Sequence, residues 1–251
     1  MRRPLIVGNW KLHKTVGEAI ALIEKLKLAI GDPGGREVAI APPFTALYAV
    51  RGALCGTPIA LAGQDCHGEE KGAFTGAVSA GMLRDVGCRY VIVGHSERRE
   101  HFGETDAAIA RKLLAALAAG LAPILCLGEK SKDRGRTREV ITRQLETALA
   151  SVERPDRVVI AYEPVWAIGS GTPATPAEAA TVADLVRERL AAGWGPEMAG
   201  RTRVLYGGSV NATNAGGFLG REEIDGALVG GASLDATTFS AIVEAAPFFE
   251  G

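Results

Sequence analysis

Val158-Val159-Ile160-Ala161-Tyr162-Glu163-Pro164-Val165-Trp166-Ala167-Ile168-Gly169-Ser170-Gly171 contains the pattern on which the rest of the chain is built. The run Val158 to Tyr162 is apolar without alternation, as in a strand buried on both faces of a parallel sheet. It ends in a carboxylate, Glu163. A proline and a mostly apolar loop come next, finishing in glycines. The next helix start is explicit in Thr175-Pro176-Ala177-Glu178. Threonine suits the N-cap, proline the first helical position, and glutamate the reciprocal position of a capping box. Val182, Val186 and Leu190 then recur at i, i+4, i+8 and give that helix one apolar face. Strand, loop, helix is one βα unit.

The same unit recurs along the chain. Apolar runs lie at Leu5 to Gly8, Val38 to Ala41, Ile59 to Ala62, Tyr90 to Val93, Pro123 to Leu127, Val204 to Tyr206 and Ala227 to Val229. Between them, Val16, Ile20, Ile23, Lys27 and Ile30 trace one amphipathic helix. Ile109, Leu113 and Leu117 trace a second, and Ile141, Leu145, Ala148 and Val152 a third. Eight βα units in 251 residues, with no Pro/Ser linker between them, predict one α/β domain over residues 1–251. Its expected form is a (β/α)8 barrel of eight parallel strands with outer helices. A doubly wound dinucleotide-binding sheet is the main competitor. It lacks its fingerprint, since Gly169-Ser170-Gly171 has no third glycine at the required place.

Bulk composition narrows the function. The 47% hydrophobic content is that of a folded globular protein. A net charge of -1 with no basic stripe argues against nucleic acid as a partner, so an anionic ligand has to be held by local devices. Cys55, Cys66, Cys88 and Cys126 form no CxxC pair and no Cys/His cluster of zinc spacing. They read as reduced structural thiols and predict a cytoplasmic protein with no metal. Cys126 reads as core filler. No apolar h-region succeeds Arg2-Arg3, so no secretory signal is read there. No apolar stretch nears the ~20 residues that span a bilayer.

Barrel chemistry gathers at the C-terminal ends of the strands. Asn9-Trp10-Lys11 stands after the first run and Gly94-His95-Ser96-Glu97-Arg98-Arg99-Glu100 after the fourth. Glu163 stands after the sixth, Gly207-Gly208-Ser209-Val210-Asn211 after the seventh, and Gly230-Gly231-Ala232-Ser233 after the eighth. Taken singly, each has an ordinary reading: a solvated lysine, a hydrogen-bonded histidine, a salt-bridged glutamate, a turn glycine. Eight units aiming an amide, an amine, an imidazole and a carboxylate at one rim have no structural need to do so. The glycine turns leave backbone N–H groups open to a phosphate, and each is expected to lead into a helix start. The expected ligand is a small phosphorylated molecule, bound without metal or cofactor. Glu163 is the candidate base, and the apolar loop behind it the candidate lid.

These residues resemble the triosephosphate isomerase family. The resemblance rests on Gly8-Asn9-Trp10-Lys11, Gly94 to Arg99, Ala161 to Gly169, Tyr206-Gly207-Gly208-Ser209-Val210 and Leu228-Val229-Gly230-Gly231-Ala232-Ser233-Leu234, in order over nearly the whole chain. It implies the TIM-barrel fold, glycolysis and gluconeogenesis as setting, and interconversion of dihydroxyacetone phosphate and D-glyceraldehyde 3-phosphate through an enediol(ate). By motif position Glu163 is the base and His95 the electrophile and proton shuttle between oxygens. Lys11 supplies positive charge, Asn9 supports the same corner, and Glu97 belongs to the same motif. Gly169, Ser209, Gly230 and Gly231 match the phosphate-holding amides, with Asn9 and Lys11 beside the substrate. Pro164 to Ala174 match the lid, whose closure keeps the enediolate from ejecting phosphate. The resemblance also implies a homodimer through the loop at 64–76, with Phe74 at its tip and Thr75 approaching the partner's Asn9 and Lys11. A helix starting at Ser96 is expected to lower the pKa of His95.

One departure concerns the far hinge. The family most often has Gly-Lys-Thr-Ala where this chain has Gly171-Thr172-Pro173-Ala174. Proline fixes φ and removes an N–H, so altered lid kinetics with unaltered chemistry are expected. Two other functions remain open from the residues alone. One is a Schiff-base phosphosugar aldolase with Lys11 as nucleophile. The other is a non-catalytic phosphosugar-binding barrel.

Overall fold

The computed structural model describes residues 2–167 and 174–248. Eight strands close on themselves, each parallel to its neighbours, in the order of the chain. They are β1 (Leu5–Asn9), β2 (Glu37–Ala41), β3 (Ala60–Gly63), β4 (Tyr90–Val93), β5 (Ala122–Leu127), β6 (Val159–Tyr162), β7 (Val204–Tyr206) and β8 (Gly226–Val229). The helices are α1 (Val16–Ile30), α2 (Leu47–Ala53), α3 (Ala80–Val86), α4 (Ser96–His101), α5 (Asp106–Ala118), α6 (Thr137–Leu149), α7 (Pro176–Trp194), α8 (Pro196–Arg201), α9 (Ala215–Leu219) and α10 (Ala236–Glu244). This is the (β/α)8 barrel expected from the sequence, with no strand limit moved by more than one residue.

The strand pattern lacks alternation because both faces are buried, in two different cores. Leu5, Val7, Ala39, Ala41, Tyr90, Ile92, Ile124, Cys126, Val159, Ala161, Leu205 and Leu228 pack together inside the barrel. Ile6, Val38, Ile40, Val91, Val93, Leu125 and Ile160 face outward and pack against the helices. Side chains alternate along a strand, and this parity aims the site. Asn9 continues the inward series Leu5, Val7, and Glu163 continues Val159, Ala161.

The capping box before α7 is present. The Thr175 side chain accepts from the Glu178 N–H at 3.2 Å, and the Glu178 carboxylate accepts from the Thr175 N–H at 2.8 Å. The traced faces of α6 and α7 are buried as expected, although Val152 lies just past the end of α6. The face read for α1 needs correction. Its buried side is Ala19, Leu22, Ile23 and Leu26, while Val16 and Ile20 stay 42% and 38% exposed. The traced residues step alternately by four and three and form a stripe rotated by roughly 70° about the helix axis from the buried one, and only Ile23 lies on both. On α5, Ile109 and Leu113 are buried and Leu117 is half-buried. Among the described residues no helix is long and apolar enough to cross a membrane.

Candidate active site

Asn9, Lys11, His95, Glu163, Ser209, Gly230 and Gly231 line one cavity of about 430 Å³ at the C-terminal mouth of the barrel, with Gly207 and Gly208. Glu97 stands behind this wall and reaches it through Lys11. Of the lid residues, Pro164, Val165, Trp166, Ala167 and Ala174 are described. Ile168, Gly169, Ser170, Gly171, Thr172 and Pro173 lie outside the described residues.

Lys11 is set by backbone as much as by charge. Its φ is +52°, a left-handed conformation that costs a non-glycine residue roughly 1–2 kcal/mol. Two side chains hold it there. The Asn9 Oδ1 accepts from the Lys11 N–H at 3.1 Å. The Gln64 amide, at the end of β3, donates to the carbonyls of Lys11 and Ala41, both at 2.9 Å. The Lys11 Nζ then meets the Glu97 Oε1 at 2.5 Å. An ammonium so paired suits electrostatic stabilisation better than attack on a carbonyl carbon.

His95 caps α4. Its Nδ1 accepts from the Glu97 N–H at 3.2 Å, which leaves the ring proton on Nε2. Nε2 lies 2.9 Å from the Glu163 Oε1. The other Glu163 oxygen accepts from the Ser96 N–H at 2.8 Å. Glu163 is 1% exposed. Burial pushes its pKa up, but His95, the Ser96 N–H and Lys11 together hold it below the ordinary carboxylate range. For His95, burial acts downward and the neighbouring carboxylate upward, with a net rise. The expected lowering is therefore not seen in this arrangement, because the carboxylates of Glu163 and Glu97 outweigh burial and Lys11. Moving the Glu163 carboxylate away removes the larger upward influence and leaves burial and Lys11 acting downward against Glu97.

The backbone around Glu163 is crowded. Its N–H donates to the Leu127 carbonyl, and the Gly207 N–H to the Tyr162 carbonyl, each at 2.7 Å. A Cβ on Gly128 would sit 1.8 Å from the Glu163 carbonyl oxygen, and one on Gly207 would sit 2.9 Å from the Glu163 Cγ. Both positions admit glycine alone without moving the carboxylate. Cys126 lies on the same inward face of β5. Burial first, then Glu163, pushes its thiol well above its ordinary range, so it stays protonated core filler, as read from the sequence.

The near root of the lid is anchored on one carboxylate. The Glu129 Oε1 accepts from the Trp166 Nε1–H at 2.9 Å, from the Tyr162 hydroxyl at 3.1 Å and from the Thr137 hydroxyl at 3.2 Å. The Arg134 guanidinium lies over the Trp166 ring at 3.9 Å. Across the mouth, the Ser209 hydroxyl donates to the Ala167 carbonyl at 3.1 Å.

The glycine turns depart from expectation in part, because neither opens directly into an α-helix. After β7, α9 begins only at Ala215, and after β8 the chain makes a single 3-10 turn, Gly231–Leu234. An anion there is met by turn amides with little helix dipole behind them. The Lys11 side chain passes close by, since a Cβ on Gly230 would lie 3.4 Å from the Lys11 Cε. Among the described residues no three His, Cys, Asp or Glu side chains are grouped as metal ligands.

The comparisons with known proteins agree with this geometry. The triosephosphate isomerase family model matches residues 4–246. The chain belongs to the triosephosphate isomerase family. It is 51% identical over 248 residues to the triosephosphate isomerase of Chloroflexus aurantiacus, covering 97% of this chain and 99% of the relative. It is 52% identical over 246 residues to that of Aquifex aeolicus, with the same coverage. A crystal structure of triosephosphate isomerase from Bartonella henselae superposes with a TM-score of 0.89 at 39% identity, covering 97% of this chain and 98% of the other. The family is one of isomerases, and neither the aldolase nor the idle barrel is favoured.

Four contributors escaped the sequence reading of triosephosphate isomerase residues: Gln64, Gly128, Glu129 and the Ser96 N–H. Three stand just after β3 and β5, strand ends that the search for polar clusters passed over. Reading Gly63-Gln64 and Leu127-Gly128-Glu129 in the same way would have found them. Ser96 acts through its backbone, which no side-chain pattern displays.

Proposed function

We propose that the chain interconverts dihydroxyacetone phosphate and D-glyceraldehyde 3-phosphate as a single-domain barrel, with Glu163 as the base. The observation that carries this is the buried Glu163 carboxylate, 2.9 Å from the His95 Nε2 in a cavity that also holds Lys11. Substrate entry replaces the carboxylate as the partner of His95. The freed imidazole N–H then donates to the carbonyl oxygen, and the carboxylate turns to the adjacent carbon. It removes a proton from C1 and returns it at C2, while His95 moves a proton between the two oxygens. Lys11 and Asn9 stabilise the developing oxyanion, and Glu97 positions Lys11. A proton beside a carbonyl is weakly acidic, so base and oxyanion stabilisation have to act together. The amides of Ser209, Gly230 and Gly231, with Gly169, hold the phosphate, and closure of Pro164 to Ala174 removes water from the carboxylate.

The active form in this reading is a cytoplasmic homodimer. The 64–76 loop supports it, with Phe74 46% exposed at its tip and Thr75 exposed beside it. Val16, Ile20, Tyr48, Met82 and Phe102 are also exposed, and all come after β1 to β4 on neighbouring sectors of the barrel. A second copy covers such apolar surface readily.

The test is a coupled isomerase assay on the wild type and Glu163→Gln. Loss of about three or more decades in kcat, with folding unchanged, is expected. A variant within tenfold of wild type overturns the assignment. Borohydride with substrate should trap no adduct on Lys11, whereas a trapped amine would restore the aldolase reading.

A further inference from the structure

A second cavity, of about 540 Å³, opens on the floor of the barrel and is walled by Arg2, Arg3, Arg89, Arg201 and Arg203 around Glu37. Every one of these residues stands at the N-terminal end of the strands. Arg3 precedes β1, Glu37 opens β2, Arg89 precedes β4, and Arg201 and Arg203 flank the entry to β7. The catalytic groups lie at the other end.

The charges there do not balance. Glu37 is 5% exposed and is shared by two guanidiniums, Arg89 at 2.6 Å and Arg203 at 2.6 Å. Arg2 is bound to Asp225 at 2.6 Å, and Asp225 also holds Arg187 at 2.6 Å. Arg201 meets Glu197 at 3.1 Å. Arg3 donates to the carbonyls of Gly35 and Arg36 and meets no carboxylate among the described residues. Among the described residues six guanidiniums thus stand against three directly ion-paired carboxylates, in a chain whose net charge is -1. The surplus is concentrated, and it is oriented. Arg89 and Arg203 lie over the Tyr90 ring at 5.4 and 5.9 Å from its centroid, and Arg203 also donates to the Tyr90 hydroxyl at 3.2 Å. The Arg89 and Arg201 side chains remain 59% and 61% exposed, so their remaining N–H donors are open to a ligand.

We propose that this floor cavity binds a multivalent phosphate, a pyrophosphate unit either free or carried by a nucleoside. Guanidinium forks match phosphate oxygens in pairs. A single phosphate brings about -1.5 to -2 charges, and a linked pair matches the local surplus more closely. The reactants of the isomerase each carry one phosphate and bind at the opposite mouth, so occupancy here is independent of turnover.

Calorimetric titration tests this with inorganic pyrophosphate and, in a second arm, ATP. Excess dihydroxyacetone phosphate is present in both arms to fill the catalytic cavity. The wild type is compared with the double variant Arg89→Ala/Arg201→Ala and with Arg89→Lys/Arg201→Lys. The expected result is pyrophosphate binding to the wild type that weakens with added salt. It should fall at least tenfold in the alanine pair and recover in part in the lysine pair. Isomerase kcat and KM should stay unchanged throughout, which shows that the variants are folded. Binding of ATP as tight as that of pyrophosphate identifies a nucleotide ligand, and weaker binding of ATP a free one. Absence of pyrophosphate binding, or equal affinity in wild type and alanine pair, overturns the proposal.

Discussion

The state of Glu163 depends on which neighbour it faces. It accepts from the Ser96 N–H and lies against the His95 Nε2, and the two groups titrate as a pair. The carboxylate raises the pKa of His95 against the effect of burial. Glu163→Gln should therefore lower the His95 pKa in the free enzyme, measured by imidazole NMR titration. An unchanged value would mean that the carboxylate is not the cause. Gly207 gives a second test at this scale. A Cβ there comes 2.9 Å from the Glu163 Cγ, and displacement of a reacting group by about 1 Å is able to cost 10²-fold. Gly207→Ala is expected to lower kcat by about one to two decades with little change in KM, read by steady-state kinetics. Wild-type kcat would show that the carboxylate has room to spare.

Elements matter here for where they start and stop. The chain re-enters regular structure after the lid at Thr175, whose capping box with Glu178 fixes the first turn of α7. Thr175→Ala removes one half of that box and is expected to cost about 1 kcal/mol. In a chain of this size that is a fall of roughly 2–4 °C in Tm, checked by calorimetry. A far larger fall would mean that Thr175 does more than cap. The short α4 acts differently, since its first N–H groups bind the Glu163 carboxylate and the His95 ring. Its worth lies in orientation rather than in helix length.

Across the whole molecule the two ends of the barrel divide the labour. The floor carries an ionic cluster whose stability depends on pH. Burial pushes the pKa of Glu37 up, and Tyr90, Arg203 and Arg89 together pull it below its ordinary 4.5. A carboxylate depressed on folding contributes stability above its unfolded pKa and loses it as pH falls through the folded value. Unfolding free energy should therefore fall below about pH 4.5 in the wild type, and its slope there should be shallower in Glu37→Gln. Identical acid slopes in denaturant titrations would remove Glu37 from the account.

Much of this was legible in the sequence because three signals coincide: unbroken apolar runs, helical periodicity, and polar residues placed just after the runs. Strand parity then carries Asn9 and Glu163 inward without further information. The Val16-to-Ile30 trace failed because α1 carries apolar residues on two adjoining stripes, and only packing decides which one is buried. Gln64 and Gly128 were hidden for another reason. One acts by holding a left-handed backbone at Lys11 and the other by having no side chain, and neither effect exists until the barrel is closed.

The central claim is that one shielded glutamate carries a carbon-bound proton between two carbons. Conversion of dihydroxyacetone phosphate in deuterium oxide, analysed by mass spectrometry and NMR, tests it directly. A carboxylate that takes up the substrate proton and exchanges with solvent should leave deuterium on carbon in part of the product. Folded Glu163→Gln should give neither label nor product at a comparable rate. A folded Glu163→Gln variant that labels and turns over as the wild type does would contradict the account.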